Sequence, residues 1–409
     1  MAEIVSRGKE SAMTKQKQRF ILAGICFSSP GNMGGNTKIG LELARTLSAK
    51  MPVVVIVPEA CLRTVTDNIP LNENMRVYTV KTYRWGPKFP PFGDALFYYR
   101  ELKRAFCALQ VTSDDIVYSA GDFMCDVPPA FFLKKRFGYT WIPSTFLFIP
   151  NPLENLIKRY RFPFFLYTLV YAYQRSLFQL VKGRGDLFVI TNACDCRYYP
   201  AQWASRTFAF YGGVNCEQIH VVEQETIQQK YAMVFCSRLH PQKGLDQFLD
   251  IWQRVIQKVP NAKFAVIGNG SHPYETYLKN KAKRLGIAAS MEWFGYVNNE
   301  DKYRIYRASK LFVHPTVYDN NGMVAAEALC CGLPVVMNDL PNLRDVYRVG
   351  CAKSDFSDQQ VTADLISRLL LDEGFYQSIK PTEHDVEALR QHWDWDARCK
   401  AFQKFIGVV

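Results

Sequence analysis

The sequence predicts an α/β chain of two Rossmann-like domains, each built on a parallel sheet. Short apolar runs of strand length alternate with helical runs along the whole chain, the βαβ rhythm that parallel sheets require. At 409 residues the chain accommodates two domains of about 200 residues, each with its own core. The rhythm is interrupted once, between Gly212 and Lys230, by a polar stretch without strong periodicity. A hydrophobic content of 48% and the lack of any long low-complexity tract identify a globular protein.

Residues 1–18 are polar and mixed in charge, with no apolar core of a secretory signal, and read as a flexible tail. A first domain over residues 19–217 opens with an apolar strand, Arg19 to Phe27. The turn Ser28-Ser29-Pro30-Gly31-Asn32-Met33-Gly34-Gly35-Asn36 follows, then a helix through Ile39, Leu41, Ala44 and Leu47. Further strands are predicted at Pro52–Val57, Arg76–Val80, Asp115–Ser119, Tyr139–Ser144 and Asp186–Thr191, with helices at Ala95–Ala108 and Pro128–Phe137. A second domain over residues 218–390 has predicted strands at Tyr231–Cys236, Lys263–Ile267, Met291–Trp293, Lys310–Val313 and Pro334–Met337. Its helices fall at Leu245–Lys258, Pro273–Leu285, Asn299–Ala308 and Gly322–Cys331. Residues 391–409 close the chain with a helix that begins beside Asp394 and Asp396.

Charge is unevenly spread. Residues 1–220 carry 27 Lys+Arg against 16 Asp+Glu, a net +11, whereas residues 221–409 carry 23 against 22. The first half alone is therefore expected to meet something anionic, a nucleic acid or a membrane surface. No RNA- or DNA-binding motif accompanies the charge, which disfavours nucleic acid. Twelve cysteines, with Cys194 close to Cys196 and Cys330 next to Cys331, form no spaced pairs suited to zinc and read as reduced thiols.

The most informative segment runs from Tyr318 to Val336, between two apolar strands. It places Asp319 in a turn-rich loop and Glu327 in the second turn of a helix opening at Gly322. The free amides of that helix start, at Gly322, Met323 and Val324, suit an anion. A carboxylate on each side of a phosphate-binding helix end can grip a sugar nucleotide, acids on hydroxyls and amides on the diphosphate. Earlier, Ser237-Arg238-Leu239-His240-Pro241-Gln242-Lys243-Gly244 follows a strand. Ligands of open parallel sheets bind at that strand end. There Arg238 offers a bidentate fork and Lys243 a point charge to a diphosphate, neutralising a departing group. Ile267-Gly268-Asn269-Gly270 and Phe294-Gly295-Tyr296-Val297 end the next two strands in glycine turns.

Asp319 to Glu327 resembles the E-x7-E signature of retaining GT-B glycosyltransferases of the family-4 type, with Asp319 in place of the first Glu. Arg238 to Gly244 is similar to the same family's G-R-L-x-x-x-K-G element, and Gly212-Gly213-Val214-Asn215 resembles the element preceding its interdomain linker. The resemblance implies two Rossmann-like domains facing a cleft, with the last helix crossing back to the first domain. It implies that Arg238 and Lys243 hold the donor diphosphate and that Gly322, Met323 and Val324 present amides to it. Glu327 would bind the ribose and Asp319 the donor sugar, with a reach one methylene shorter than usual. Asn320 and Asn321 lie in the same donor loop, Gly34, Gly35 and Gly268 approach the donor, and Tyr296 and Val297 lie beside the base.

On the acceptor side, Phe146 stands where the family commonly has a histidine, and all six histidines lie from His220 onward. Retention needs no enzymic base where the departing diphosphate accepts the proton. If a base is needed, Asp122 or Asp126, at the end of the strand closing at Ser119, supplies it. Asp126 can equally cap the helix that begins at Pro128-Pro129. Between Asn151 and Gly185, basic residues including Lys158, Arg159, Arg161, Arg175, Lys182 and Arg184 lie beside the apolar run Phe162 to Tyr173. The run is shorter than the roughly 20 residues a span needs, so it reads as a helix lying on an anionic bilayer, or as a buried helix pair.

The resemblance thus implies a retaining, metal-independent transferase moving a sugar from a UDP- or GDP-linked donor to a glycan or lipid-linked acceptor. No cofactor beyond that donor is called for. The expected location is cytoplasmic, with association on the cytoplasmic face of a membrane. The alternative is a catalytically inactive protein of the same fold that only binds nucleotide sugars.

Overall fold

The computed structural model describes residues 18–27, 34–83, 92–153 and 164–408. The tail, the turn residues Ser28 to Met33 and the basic run from Glu154 to Pro163 lie outside the described residues.

Continuous apolar runs such as Val53–Pro58 and Tyr231–Cys236 become strands covered on both faces, as parallel sheets demand. The first sheet consists of β1 (Phe20–Ala23), β2 (Val53–Pro58), β3 (Met75–Val80), β4 (Ile116–Ser119), β5 (Thr140–Thr145), β6 (Phe188–Ile190) and β7 (Thr207–Ala209). All pairings are parallel and the spatial order is β3-β2-β1-β4-β5-β6-β7. Its helices are α1 (Gly35–Leu47), α2 (Leu62–Thr66), α3 (Phe92–Ala108), α4 (Val127–Phe137) and α5 (Phe164–Arg184).

The second domain opens with α6 (Cys216–Glu223) and continues with β8 (Tyr231–Cys236), α7 (Leu245–Lys258), β9 (Phe264–Ile267) and α8 (His272–Arg284). Then come β10 (Met291–Gly295), α9 (Asn299–Arg307), β11 (Ser309–His314), α10 (Met323–Cys330), β12 (Val335–Asn338), α11 (Pro341–Arg344) and β13 (Cys351–Ser354). Helices α12 (Gln359–Leu371), α13 (Glu373–Ile379) and α14 (Glu383–Trp393) follow. The sheet order, β10-β9-β8-β11-β12-β13, repeats that of the first six strands of the other domain, again all parallel. In α7, Leu245, Phe248, Leu249, Trp252 and Val255 recur at helical spacing and are buried, so one stripe seats the helix on the sheet.

Each sheet therefore reverses its strand order at its second-domain or first-domain equivalent of the same place, between β1 and β4 and between β8 and β11. Such a crevice is where open α/β sheets bind ligands. The final helix α15 (Trp395–Phe405) leaves the second domain and completes the core of the first. There Trp395, Cys399 and Phe402 are buried with Phe20, Tyr118 and Leu47. The crossing point is pinned by the Val214 amide donating to the Trp393 carbonyl at 2.7 Å, and Asp394 caps α15 through the Ala397 amide at 2.8 Å.

Two predictions about the first domain need correction. Asp126 is the residue before α4, but its side chain makes no capping bond. The segment expected either to lie on a bilayer or to be buried divides in two. Phe164, Phe165, Leu166 and Leu169, in the early turns of α5, are exposed, whereas Leu177, Phe178 and Val181 are buried. The basic residues near its end also face protein: Arg175 lies 4.6 Å from the Tyr198 ring centroid and Arg184 4.1 Å from that of Phe131. They pack on aromatic faces. Among the described residues no helix is long and apolar enough to cross a membrane.

Candidate active site

A cavity of about 810 Å³ lies between the domains, where the two strand-order reversals face each other. From the first domain it is lined by Gly34, Gly35 and Lys38, from the second by Arg238, Gly268, Tyr296, Val297, Met323, Val324 and Glu327. These candidates come from five separate chain segments, brought together because every one follows the C-terminal end of a strand.

Arg238 follows β8 and is exposed; among the described residues no carboxylate lies within ion-pair distance of it. It also lines an adjoining cavity of about 680 Å³ with His240, Asn269 and Ser271. Gly268 has φ +131°, and a Cβ there would sit 1.9 Å from the Ser237 carbonyl oxygen, so only glycine lets the β9 turn pass behind Arg238. Gly322 (φ +63°) precedes α10, and the Tyr347 hydroxyl braces that turn by donating to the carbonyls of Asn321 and Gly322 at 2.7 and 2.8 Å.

Lys243 does not line the cavity with Arg238. Its ammonium lies 2.8 Å from Asp319 Oδ2, with the two side chains 18% and 14% exposed. Burial pushes the Asp319 carboxyl up, but Lys243 and the His314 ring at 3.5 Å outweigh it and hold the group well below the usual range. Oδ1 accepts from the amides of Asn320 and Asn321 at 2.8 and 3.3 Å. Asp319 is thus an ionised carboxylate, fixed on four sides.

Glu327 is also flanked by cations. Lys302 lies 2.8 Å from Oε2 and Lys38, from the other domain, 3.5 Å from Oε1. Burial raises this carboxyl, and the two ammoniums more than offset it, leaving it lowered. Lys38 itself is lowered, by burial and by Lys302.

Asn320, placed at the donor by its loop, turns instead into a buried knot joining the domains. Its side-chain amide donates to the Phe146 carbonyl at 3.1 Å, to Thr191 Oγ1 at 3.2 Å and to Asp195. Its own carbonyl accepts from Asn192 Nδ2 at 2.7 Å, and Asn192 also donates to the Asn342 carbonyl at 2.7 Å. Asn321 is buried beside Gly212, away from the cavity lining.

The acceptor candidates stand apart from the cavity. Phe146 is half-buried, and its carbonyl ties to Asn320 while its amide meets Asp122. Asp122 is pushed up to about 6 by burial, against opposing hydrogen bonds. Asp126 is buried, has one oxygen without a hydrogen-bond partner among the described residues, and is pushed up to about 7, chiefly by burial. Its surroundings are Cys125, whose thiol donates to it at 3.3 Å, and Cys26. None of the twelve cysteines is in a disulfide, and no group of three or more metal-ligating side chains occurs among the described residues.

Lys38, Lys302, Asn192 and Asp195 are absent from the sequence-based candidates. Asn192 had a usable signal, a polar residue directly after a predicted strand at the cleft edge. Lys38 and Lys302 had none, because each sits in an ordinary polar helix position.

Residues 218–384 match the family described as "Glycosyl transferases group 1". Mannosylfructose-phosphate synthase of Agrobacterium fabrum is 37% identical over 149 residues, 35% of this chain and 30% of that protein. Phosphatidyl-myo-inositol mannosyltransferase of Mycobacterium tuberculosis is 30% identical over 125 residues, 30% of this chain and 32% of that protein. The chain thus spans about a third of the length of the curated relatives it matches. Sucrose-phosphate synthase from Thermosynechococcus elongatus superimposes with a TM-score of 0.74 at 13% identity, covering 96% of this chain and 98% of that one. Anabaena HepE, solved with UDP-glucose, gives 0.70 at 15% identity, covering 96% and 100%. In fold the chain is a GT-B protein, and the match to the group 1 glycosyl transferases lies within its second domain.

Proposed function

We propose that the protein is a retaining hexosyltransferase that moves a sugar from a UDP- or GDP-linked donor to a hydroxyl of a lipid-linked glycan acceptor, without a metal. The observation that carries this reading is Arg238: a guanidinium with no carboxylate within ion-pair distance among the described residues, at the strand-order reversal, facing Gly34, Gly35 and the start of α10 across one cavity. That is an anion site assembled from a fork, helix amides and glycine backbone, and it fits a diphosphate. The solved HepE structures that share this fold carry UDP, glucose and UDP-glucose.

The chemistry follows from the charges. As the glycosidic bond to the diphosphate breaks, negative charge grows on the leaving phosphate, and Arg238 with the Met323 and Val324 amides stabilises it. These groups take the part a divalent cation plays elsewhere. The acceptor hydroxyl approaches from the same face, and its proton passes to the departing phosphate, which preserves the anomeric configuration. Asp122, pushed up to about 6 by burial, lies outside the cavity lining and connects to the Asp319 loop through Phe146 and Asn320, so the proton goes to the phosphate and not through this carboxyl.

A lipid-linked acceptor is supported by the exposed Phe164, Phe165, Leu166 and Leu169 and by the positive first half. The phosphatidyl-myo-inositol mannosyltransferase of Mycobacterium tuberculosis, a lipid-directed enzyme by its name, points the same way. On this reading the protein works at the cytoplasmic face of a membrane.

The test is a melting-temperature screen against UDP, GDP and their sugars. A ligand that binds only the folded chain at about 100 times its Kd adds about 2.7 kcal/mol, a clear upward shift. Arg238→Ala should abolish the shift while leaving the ligand-free melting temperature unchanged. No shift with any nucleotide refutes the proposal. A shift without nucleotide release from any donor sugar identifies the non-catalytic binder instead.

A further inference from the structure

Glu327 is the carboxylate that the donor reading assigns to the ribose, yet each of its oxygens faces an ammonium. The two contacts are unequal. Lys302 belongs to the same domain, lies at 2.8 Å and is 11% exposed. Lys38 reaches over from α1 of the other domain, lies at 3.5 Å and is 20% exposed. The two ammoniums already engage both oxygens of Glu327, so a diol arriving from the cavity competes with them for the carboxylate, and the longer, more hydrated contact yields first. Lys38 also has somewhere to go. Its ammonium already lies 5.6 Å from the centroid of the Trp395 ring, and Glu42 attracts it from one turn along the same helix. Lys302, by contrast, is buried against Tyr303 with Asn299 as its other polar neighbour.

We infer that Lys38 competes with the donor's ribose hydroxyls for Glu327, so that nucleotide binding exchanges a contact between the domains for one between protein and ligand. This rests on the nucleotide-sugar reading above and adds a residue to it. Lys38 is then a specificity element: it discriminates against any ligand lacking vicinal hydroxyls, because only a diol repays the lost ion pair with two hydrogen bonds to a carboxylate. It also ties the spacing of the domains to the occupancy of Glu327, since no other ammonium from the first domain reaches that carboxylate among the described residues.

The experiment is a four-way calorimetric comparison on the full chain. Wild type and Lys38→Met are each titrated with the nucleoside diphosphate that binds, UDP or GDP, and with its 2′,3′-dideoxy analogue. Methionine keeps the length and removes the charge; Lys38→Arg, which keeps it, serves as the conservative control. Lys38→Met should bind the ribonucleotide about two- to five-fold more tightly, the range of a partly exposed ion pair, and the dideoxy analogue unchanged. Lys38→Arg should stay near wild type for both. An equal change for both ligands, weaker ribonucleotide binding or no change overturns the competition. If wild type binds neither UDP nor GDP, the donor reading itself fails and Lys38's role with it. A melting temperature of Lys38→Met close to wild type ensures that a folded protein is being compared.

Discussion

Replacing Lys243 by methionine is the sharpest perturbation of the ion-paired donor loop. The substitution keeps most of the side-chain volume and removes the one ammonium at 2.8 Å from Asp319. Breaking a fully buried ion pair from one side costs about 3–5 kcal/mol, because a charge is left behind. Here the carboxylate keeps two backbone amides, at 2.8 and 3.3 Å, and the pair is 18% and 14% exposed. The expected loss is therefore smaller, about 2–3 kcal/mol. Lys243→Met with Asp319→Asn should recover at least half of it, since the asparagine oxygen still accepts from both amides and no charge remains. Urea unfolding followed by tryptophan fluorescence, with Trp252 and Trp293 in the same domain, measures Lys243→Met, Asp319→Asn and the double variant. pH supplies an independent check. The folded-state pKa of Asp319 is depressed, so its contribution is present above the unfolded value near 3.8 and is lost as pH falls through the lower folded value. In Lys243→Met that acid-side loss should shrink. A cost below about 0.5 kcal/mol, or a double variant equal to the sum of the singles, would mean that the pair holds nothing in place.

Three further outcomes are expected. Asp126 is raised to about 7 by burial, so the folded state holds an extra proton between pH 4 and 7 and wild type loses stability as pH rises, by at most about 1.4 kcal/mol per unit. Asp126→Asn should flatten that slope in melting curves at stepped pH. Asn192→Ala removes two 2.7 Å bonds from the interdomain knot and leaves the Asn320 and Asn342 carbonyls without them. It should cost about 2–3 kcal/mol and increase the radius of gyration in X-ray scattering. Phe165→Asp with Leu166→Asp alters side chains that are 75% and 49% exposed. Folding should be unaffected, whereas co-sedimentation with anionic vesicles should fall at least about ten-fold, as one lost apolar side chain is worth about 1.5–3 kcal/mol.

What could be read from the sequence depended on whether a residue's partner was local. Strand-to-turn boundaries near Cys236, Ile267 and His314 were legible because apolar runs stop where the chain turns, and those ends carry Arg238, Gly268 and the Asp319 loop. Strand β7 has three half-buried residues, Thr207 to Ala209, and β13 reads Cys-Ala-Lys-Ser; neither has the apolar run that marks a strand, and pairing alone makes them strands. Asn320 was misplaced for the same reason. Its loop position argues for a ligand, but its environment is set by Asn192, Asp195 and Phe146, all in the other domain. Lys38 resembles any surface lysine of a helix until the fold sets it against Glu327. The Arg175 and Arg184 guanidiniums looked available to lipid in a linear reading, and only tertiary packing reveals the aromatic rings they cover.

The return of α15 has a consequence for biosynthesis. The sheet formed by residues 20–209 lacks part of its apolar cover until Trp395, Cys399 and Phe402 are available, and these are synthesised after the whole intervening domain. On the ribosome the earlier half must wait with Phe20, Tyr118 and Phe210 incompletely shielded while the later half is already able to fold. Maturation order is therefore inverted relative to translation order, and nascent chains stalled before Trp395 should be the species most dependent on chaperones.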